Sequence, residues 1–137
     1  MGRVTVELEI SNYHDVHLAE SKVISKEEVR RVQAIGVVDT GANLLVLPQW
    51  MARDLGLASA GSVRVRYADR RARSRALVRD AHVKILGRQS TFDALVEPDR
   101  ETVLVGAIVL EAMDLLVDCG KQKVYPRDPD QMIAEVE

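Results

Sequence analysis

Apolar and polar residues alternate from the start of the chain, with Val4, Val6, Leu8 and Ile10 set against Thr5, Glu7 and Glu9. That period of two predicts a half-buried strand. Ser11-Asn12-Tyr13-His14-Asp15 then reads as a turn or loop, with Val16, Leu18, Val23 and Ile24 as scattered anchors of a hairpin-like excursion. Ser25-Lys26-Glu27-Glu28 is a polar turn that could also open a helix, Ser25 as N-cap and Glu28 closing a capping box. Val29 to Ile35 leads into Gly36-Val37-Val38, where the β-branched run favours a strand over that helix. Asn43 to Pro48 is a further apolar strand, ended by the proline. Gln49 to Leu57 carries apolar residues at helical spacing with Gly56 as the stop, a short helix in which Trp50 packs in the core.

Two hairpins follow. Ser62 to Tyr67 and Ala72 to Val78 alternate around Ala68-Asp69-Arg70-Arg71, and Ala81 to Arg88 pairs with Ser90 to Val96 around Gly87. Phe92 is a core residue, and Glu97-Pro98-Asp99 closes the second hairpin. Beyond them the chain predicts a short apolar segment to Gly106, a helix from about Ile108 to Met113 and Leu115 to Cys119 as a final core strand. Gly120 to Lys123 turns it back into Val124-Tyr125-Pro126. Arg127 to Glu137 is a polar tail, expected to be disordered, in which weakly alternating Met132 to Val136 could pair with another chain. Short, β-branched, turn-bounded segments predict an all-β fold with one or two short helices.

Length sets a limit on mechanism: 137 residues make one domain with a real core, too short for two tandem lobes. A net charge of -2 argues against a dedicated nucleic-acid partner or a polybasic membrane anchor. The N-terminus shows no signal-peptide core and no myristoylation motif, so a soluble cytoplasmic protein is the default expectation. Cys119 is the only cysteine, which excludes an internal disulfide and reads as a small apolar strand residue. His14 and His17 flank Asp15 at helical spacing, but with no third ligand nearby they read as a solvated loop, and no metal or cofactor is expected. Seven arginines, Arg64, Arg66, Arg70, Arg71, Arg73, Arg75 and Arg79, crowd the first hairpin. They suit acidic substrates or phosphate backbones. They suit equally a solvated face that protects a sheet edge, and with only Tyr67 for base stacking this second reading is preferred.

One stretch places chemistry where a plain strand would not. In Ala34-Ile35-Gly36-Val37-Val38-Asp39-Thr40-Gly41-Ala42 an acid, a hydroxyl and a glycine follow a buried-strand pattern directly, and an apolar strand resumes at once. Asp-Thr-Gly is also ordinary turn chemistry, but a surface turn needs no apolar flank on both sides. The stretch resembles the active-site loop of retropepsin-like (retroviral-type, single-lobe) aspartic proteases, as a bacterial-type member of clan AA. Val103-Leu104-Val105-Gly106-Ala107-Ile108-Val109-Leu110-Glu111 resembles the family's second signature, apolar residues then Gly and a short helix.

The resemblance implies an acid-protease single lobe over 1–126, a closed β-barrel-like fold with one or two short helices, ahead of a polar tail at 127–137. It implies an aspartic endopeptidase in which two Asp39 carboxylates, one from each subunit of a homodimer, activate a water to cut a peptide or protein substrate. Thr40 would lock the two loops together and Gly41 would let backbone approach the carboxylates. The hairpin at Tyr67, Ala68, Asp69, Arg70 and Arg71 would be the flap over the substrate, although it lacks the glycine-rich tip of retroviral flaps. Ala42 replaces the Ser or Thr of pepsin-like loops and so removes a hydroxyl donor, which predicts a less acidic working range. A non-catalytic dimeric peptide-binding or interaction module on the same fold stays open, because the loop alone does not prove an assembled dyad.

Overall fold

The structure is a computed structural model that describes residues 3–137. Among the described residues nine strands and three short α-helices follow the order β1 (Thr5–Asn12), α1 (Tyr13–Glu20), β2 (Arg31–Val38), β3 (Leu45–Pro48), α2 (Gln49–Asp54), β4 (Ser59–Arg66), β5 (Ala72–Ile85), β6 (Arg88–Glu97), β7 (Val103–Val105), α3 (Ala107–Met113), β8 (Leu115–Asp118) and β9 (Lys123–Pro126). Strands dominate, as the short β-branched segments predict.

The main sheet runs β1-β2-β7-β3-β6-β5-β4, and β1 also pairs with β5. Six strands therefore close into a barrel, and β4 extends from it on the outer side of β5. The inward face follows the alternation of β1, where Val6, Leu8 and Ile10 are buried, and it meets Leu45, Leu47, Val83, Ile85, Val103 and Val105. Met51 of α2, Leu55 just after it, and Val109 and Met113 of α3 pack into the same core. Each such side chain contributes roughly 1.5–3 kcal/mol by leaving water.

The connection between β2 and β3 is what shapes the site. β7 lies between them, parallel to β2 through Gly36↔Val103, Val37↔Leu104 and Val38↔Val105, and antiparallel to β3 at Val46↔Leu104. The chain must therefore leave β2, cross the end of β7 and return as β3. Residues 39–44 make that crossing. A Cβ on Gly106, at the end of β7, would lie 2.3 Å from the Leu44 carbonyl oxygen and 2.8 Å from the Leu44 nitrogen. Backbone crowding leaves room for no other residue there.

Several expectations are corrected. Tyr13 to Glu20 is a helix rather than loop, capped by the Asn12 side chain, which accepts from the Asp15 N–H at 3.2 Å. Its one fully buried residue is Asp15, so no apolar stripe announces it. Ser25 to Glu28 keeps the reciprocal pairing of Ser25 and Glu28 but makes only a single 3-10 turn over Lys26–Glu28. Trp50 is not core: it is 47% exposed on the outer side of α2. Leu115 to Asp118 is no core strand of the barrel, because β8 pairs with β9 in a separate ribbon and only Leu115 is buried. Cys119 is exposed in the turn of that ribbon.

The tail has no helix or strand, yet it is tied back onto the body. Arg127 pairs with Asp114 at 2.8 Å and with Glu135 at 3.0 Å, the Ile133 N–H donates to Asp114 at 2.9 Å, and Arg88 donates to the Asp128 carbonyl. Met132, Ile133 and Val136 remain exposed and form no strand. No helix among the described residues is long and apolar enough to cross a membrane.

Candidate active site

Asp39 stands at the end of β2, where its own N–H still donates to the Val105 carbonyl at 3.0 Å and so continues the β2–β7 pairing by one residue. Past that point the chain turns. The Ala42 N–H donates to the Asp39 carbonyl at 3.1 Å, and the Gly41 N–H donates to Asp39 Oδ1 at 2.9 Å. One carboxylate oxygen is thereby fixed by backbone while Oδ2 is left without a hydrogen-bond partner among the described residues. Gly41 lets the loop close tightly on the carboxylate, since a Cβ there would crowd Oδ1 at 3.2 Å; its φ is not positive, unlike that of an ordinary Gly turn.

The far side of the loop is fastened to α3. The Ala107 N–H donates to the Ala42 carbonyl at 2.8 Å and the Ile108 N–H to the Asn43 carbonyl at 3.0 Å. The first turn of a helix has N–H groups with no partner inside it, and here the loop carbonyls take two of them. The two sequence signatures, some sixty residues apart, thus form one unit around Gly106. Asp39, Thr40 and Gly41 are all exposed, and the Thr40 hydroxyl has no hydrogen-bond partner among the described residues.

Asp39 opens onto a groove of about 650 Å³. Val46, Leu95 and Leu104 give it apolar surface, Val63 and Val65 of β4 face them, and Tyr67 and Ala68 close one end. Of the hairpin residues singled out from sequence, Tyr67 and Ala68 line this groove, whereas Asp69, Arg70 and Arg71 form the exposed tip. The tip is a short loop in which Tyr67 N–H donates to the Arg71 carbonyl at 2.9 Å and Arg70 takes a left-handed φ of 70°. Asp69 accepts from the Arg71 backbone and pairs with its guanidinium at 2.6 Å, and both interactions hold its carboxyl below the usual carboxylate range.

Residues that sequence reasoning did not single out complete the groove. Glu97, at the end of β6, accepts from the Tyr67 hydroxyl at 2.8 Å and from Arg75 Nε at 2.5 Å. Burial and the Glu97 carboxylate both push the Tyr67 hydroxyl up, so it stays a donor. Arg75 is thus removed from the solvated face expected of the arginine hairpin. Arg100 enters from the loop after β6, its guanidinium held by the Thr102 carbonyl at 2.7 Å. The signals for these residues were faint: Glu97 precedes a proline at a strand end, and Arg100 lies in a loop with no pattern.

His14 and His17 are exposed on α1, and no group of three or more potential metal ligands occurs among the described residues.

A family model described as aspartyl protease matches residues 27–109, a span that holds the first signature, the two hairpins and all but the last two residues of the second signature. The chain belongs to the aspartyl protease family. No curated protein matches it significantly. Among solved structures it is similar to the simian foamy virus (mac) protease in solution, at 14% identity and a TM-score of 0.51, over 78% of this chain and 91% of that one. At that identity the likeness is one of fold, and it makes this aspartyl protease family member a retropepsin-like single lobe.

Proposed function

We propose that the chain is an aspartic endopeptidase that works as a homodimer, with Asp39 of each subunit contributing one carboxylate to a shared pair. The observation that carries this is the state of Asp39 in one chain: oriented by the Gly41 N–H, exposed beside a peptide-sized groove, and borne on the sole Asp-Thr-Gly loop in the sequence. Peptide hydrolysis needs a base to activate water and an acid to protonate the leaving nitrogen. Two carboxylates brought together share one proton, because ionising both at short range is costly, so the pair supplies both roles. Thr40, whose exposed hydroxyl has no partner among the described residues, would bond across the two-fold axis to the facing loop, and Gly41 would keep backbone close to the carboxylates.

The hairpin from Tyr67 to Arg71 serves as the flap, closing over an extended substrate and excluding water. The catalytic lobe spans residues 1–126, of which the first two lie outside the described residues, and residues 127–137 are a tail. A second copy and a peptide or protein are its partners, in the cytoplasm, with no cofactor.

Mixing native protein with an equal amount of Asp39→Asn tests the shared pair. Free exchange leaves about one quarter of dimers doubly native. Losing either role costs at least about 10²-fold, so activity per native chain should fall to roughly half on a peptide library. Activity that stays additive, with exchange shown independently, would mean that Asp39 acts within one chain. An absence of any cleavage, with tight binding of an uncleavable transition-state analogue, would leave only a peptide-binding module.

A further inference from the structure

One cation at the groove has no acid of its own. The lining contains two acids, Asp39 and Glu97, and three arginines, but Arg64 and Arg66 alternate with Val63 and Val65 along β4 and so carry their guanidiniums to the opposite face, which leaves Arg100 as the guanidinium beside the groove. Glu97 is already matched by Arg75 at 2.5 Å and by the Tyr67 hydroxyl. Asp39 belongs to the reaction. Among the described residues none of the three lining arginines forms an ion pair with an acid of this chain.

Arg100 is the most constrained of the three. It is half-buried, and its Nε and Nη2 are aimed by the Thr102 carbonyl and hydroxyl, at 2.7 Å and 3.3 Å. These neutral acceptors fix the plane of the guanidinium and leave its charge and remaining N–H groups uncompensated. Burial draws its proton affinity below the ordinary arginine value, Arg3 adds repulsion, and Glu97 and Asp39 counter both without touching it. A cation desolvated in this way gains most from an anion that arrives with the ligand, and a guanidinium fork suits a carboxylate.

Resting on the endopeptidase reading, we propose that Arg100 forms a subsite for an acidic side chain of the substrate, so that the enzyme selects peptides with Glu or Asp near the scissile bond. The apolar surface from Val46, Leu95 and Leu104 takes the flanking aliphatic residues. The occupant is a carboxylate on an extended peptide, because the groove is continuous with the Asp39 loop and no other acid in it is unpaired.

Internally quenched peptides in matched Glu/Gln pairs, with the pair moved through each position around the cleavage site, provide the test, since Glu and Gln have the same shape. At one position kcat/KM should favour Glu by about tenfold at low salt, from a charge-assisted hydrogen bond in a partly desolvated site. The ratio should shrink at 0.5 M salt as screening grows. Arg100→Gln should bring it close to one, and Arg100→Glu should favour Lys over Gln at that same position. Equal rates for Glu and Gln at every position in the native enzyme would overturn the proposal. So would a preference that persists in Arg100→Gln. Loss of dimer in sedimentation on Arg100→Gln, with the Glu/Gln ratio unchanged among the dimers that remain, would assign the guanidinium to the subunit contact and overturn it as well. Uncleavable statine-containing versions of the same pairs separate the two readings: tighter binding of the Glu form without cleavage of any peptide supports the subsite and rejects the hydrolysis.

Discussion

Gly106 and Asp15 show how single residues hold the fold together, the first of them at the site. Gly106 has an unstrained φ of -86°, so its requirement is purely one of space. Gly106→Ala should push the Leu44 carbonyl away and lower stability by about 2 kcal/mol or more, in the range of overpacked sites, and activity should fall with it because the same backbone carries Asp39. Urea unfolding reads the first effect and peptide cleavage the second; native values for both would show that the crossing loop yields easily. Asp15, the buried residue of α1, accepts from Arg30 through Nε at 2.8 Å, Nη2 at 3.0 Å and the backbone N–H at 3.0 Å. The Arg30 side-chain bonds hold its carboxyl below the usual range. A lowered folded value means that the pair's contribution is complete above about pH 4, where the unfolded acid is ionised, and is lost as pH falls through the folded value. Arg30 is half-exposed, so Asp15→Asn should cost only about 1–2 kcal/mol at pH 7. That gap should close in acid, and a gap constant from pH 7 to pH 2 would deny the linkage.

Among elements, legibility in the sequence followed how local the cause was. Strand β2 with its loop, the paired strands around Gly87 and the helix after Gly106 each carry their own signal, in alternation, turn residues or a stop. Helix α1 does not, because a buried acid and an asparagine cap replace the apolar stripe. The place of β7 between β2 and β3 is invisible for a related reason: it depends on pairing between segments far apart, which no window of sequence contains. The groove follows suit. Asp39 was found from its neighbours, whereas Glu97 and Arg100 reach it only through the closed barrel. The hairpin tip offers a test at this scale, since Arg70 holds the left-handed position that usually falls to glycine in such loops. Arg70→Gly should stabilise the protein by about 0.5–1 kcal/mol by relieving that conformation, partly offset by the freer unfolded chain. An unchanged melting curve would indicate that contacts of the arginine compensate the strain.

At the scale of the whole molecule, the chain spends its longest strand twice. Ala81 to Ile85 of β5 sits between β1 and β6 and seals the barrel, whereas Ala72 to Val78 carries the hairpin with β4. Between these halves the register shifts, and Asp80 takes a left-handed φ of 64°. The proposed flap motion asks Ala81 to Ile85 to stay fixed while the hairpin half of the strand moves, and the proposed mechanism asks two such lobes to meet. Specific activity should accordingly drop on dilution as subunits separate, without any loss of the barrel seen by circular dichroism. A parallel loss of both would mean that the lobe does not stand alone. The break at Asp80 has a further consequence, which concerns time rather than shape. Amide protons of one continuous strand should exchange with solvent in two populations: Ala81, Val83 and Ile85 only when the barrel opens as a whole, and the hydrogen-bonded amides between Ala72 and Ala76 through far more frequent local openings.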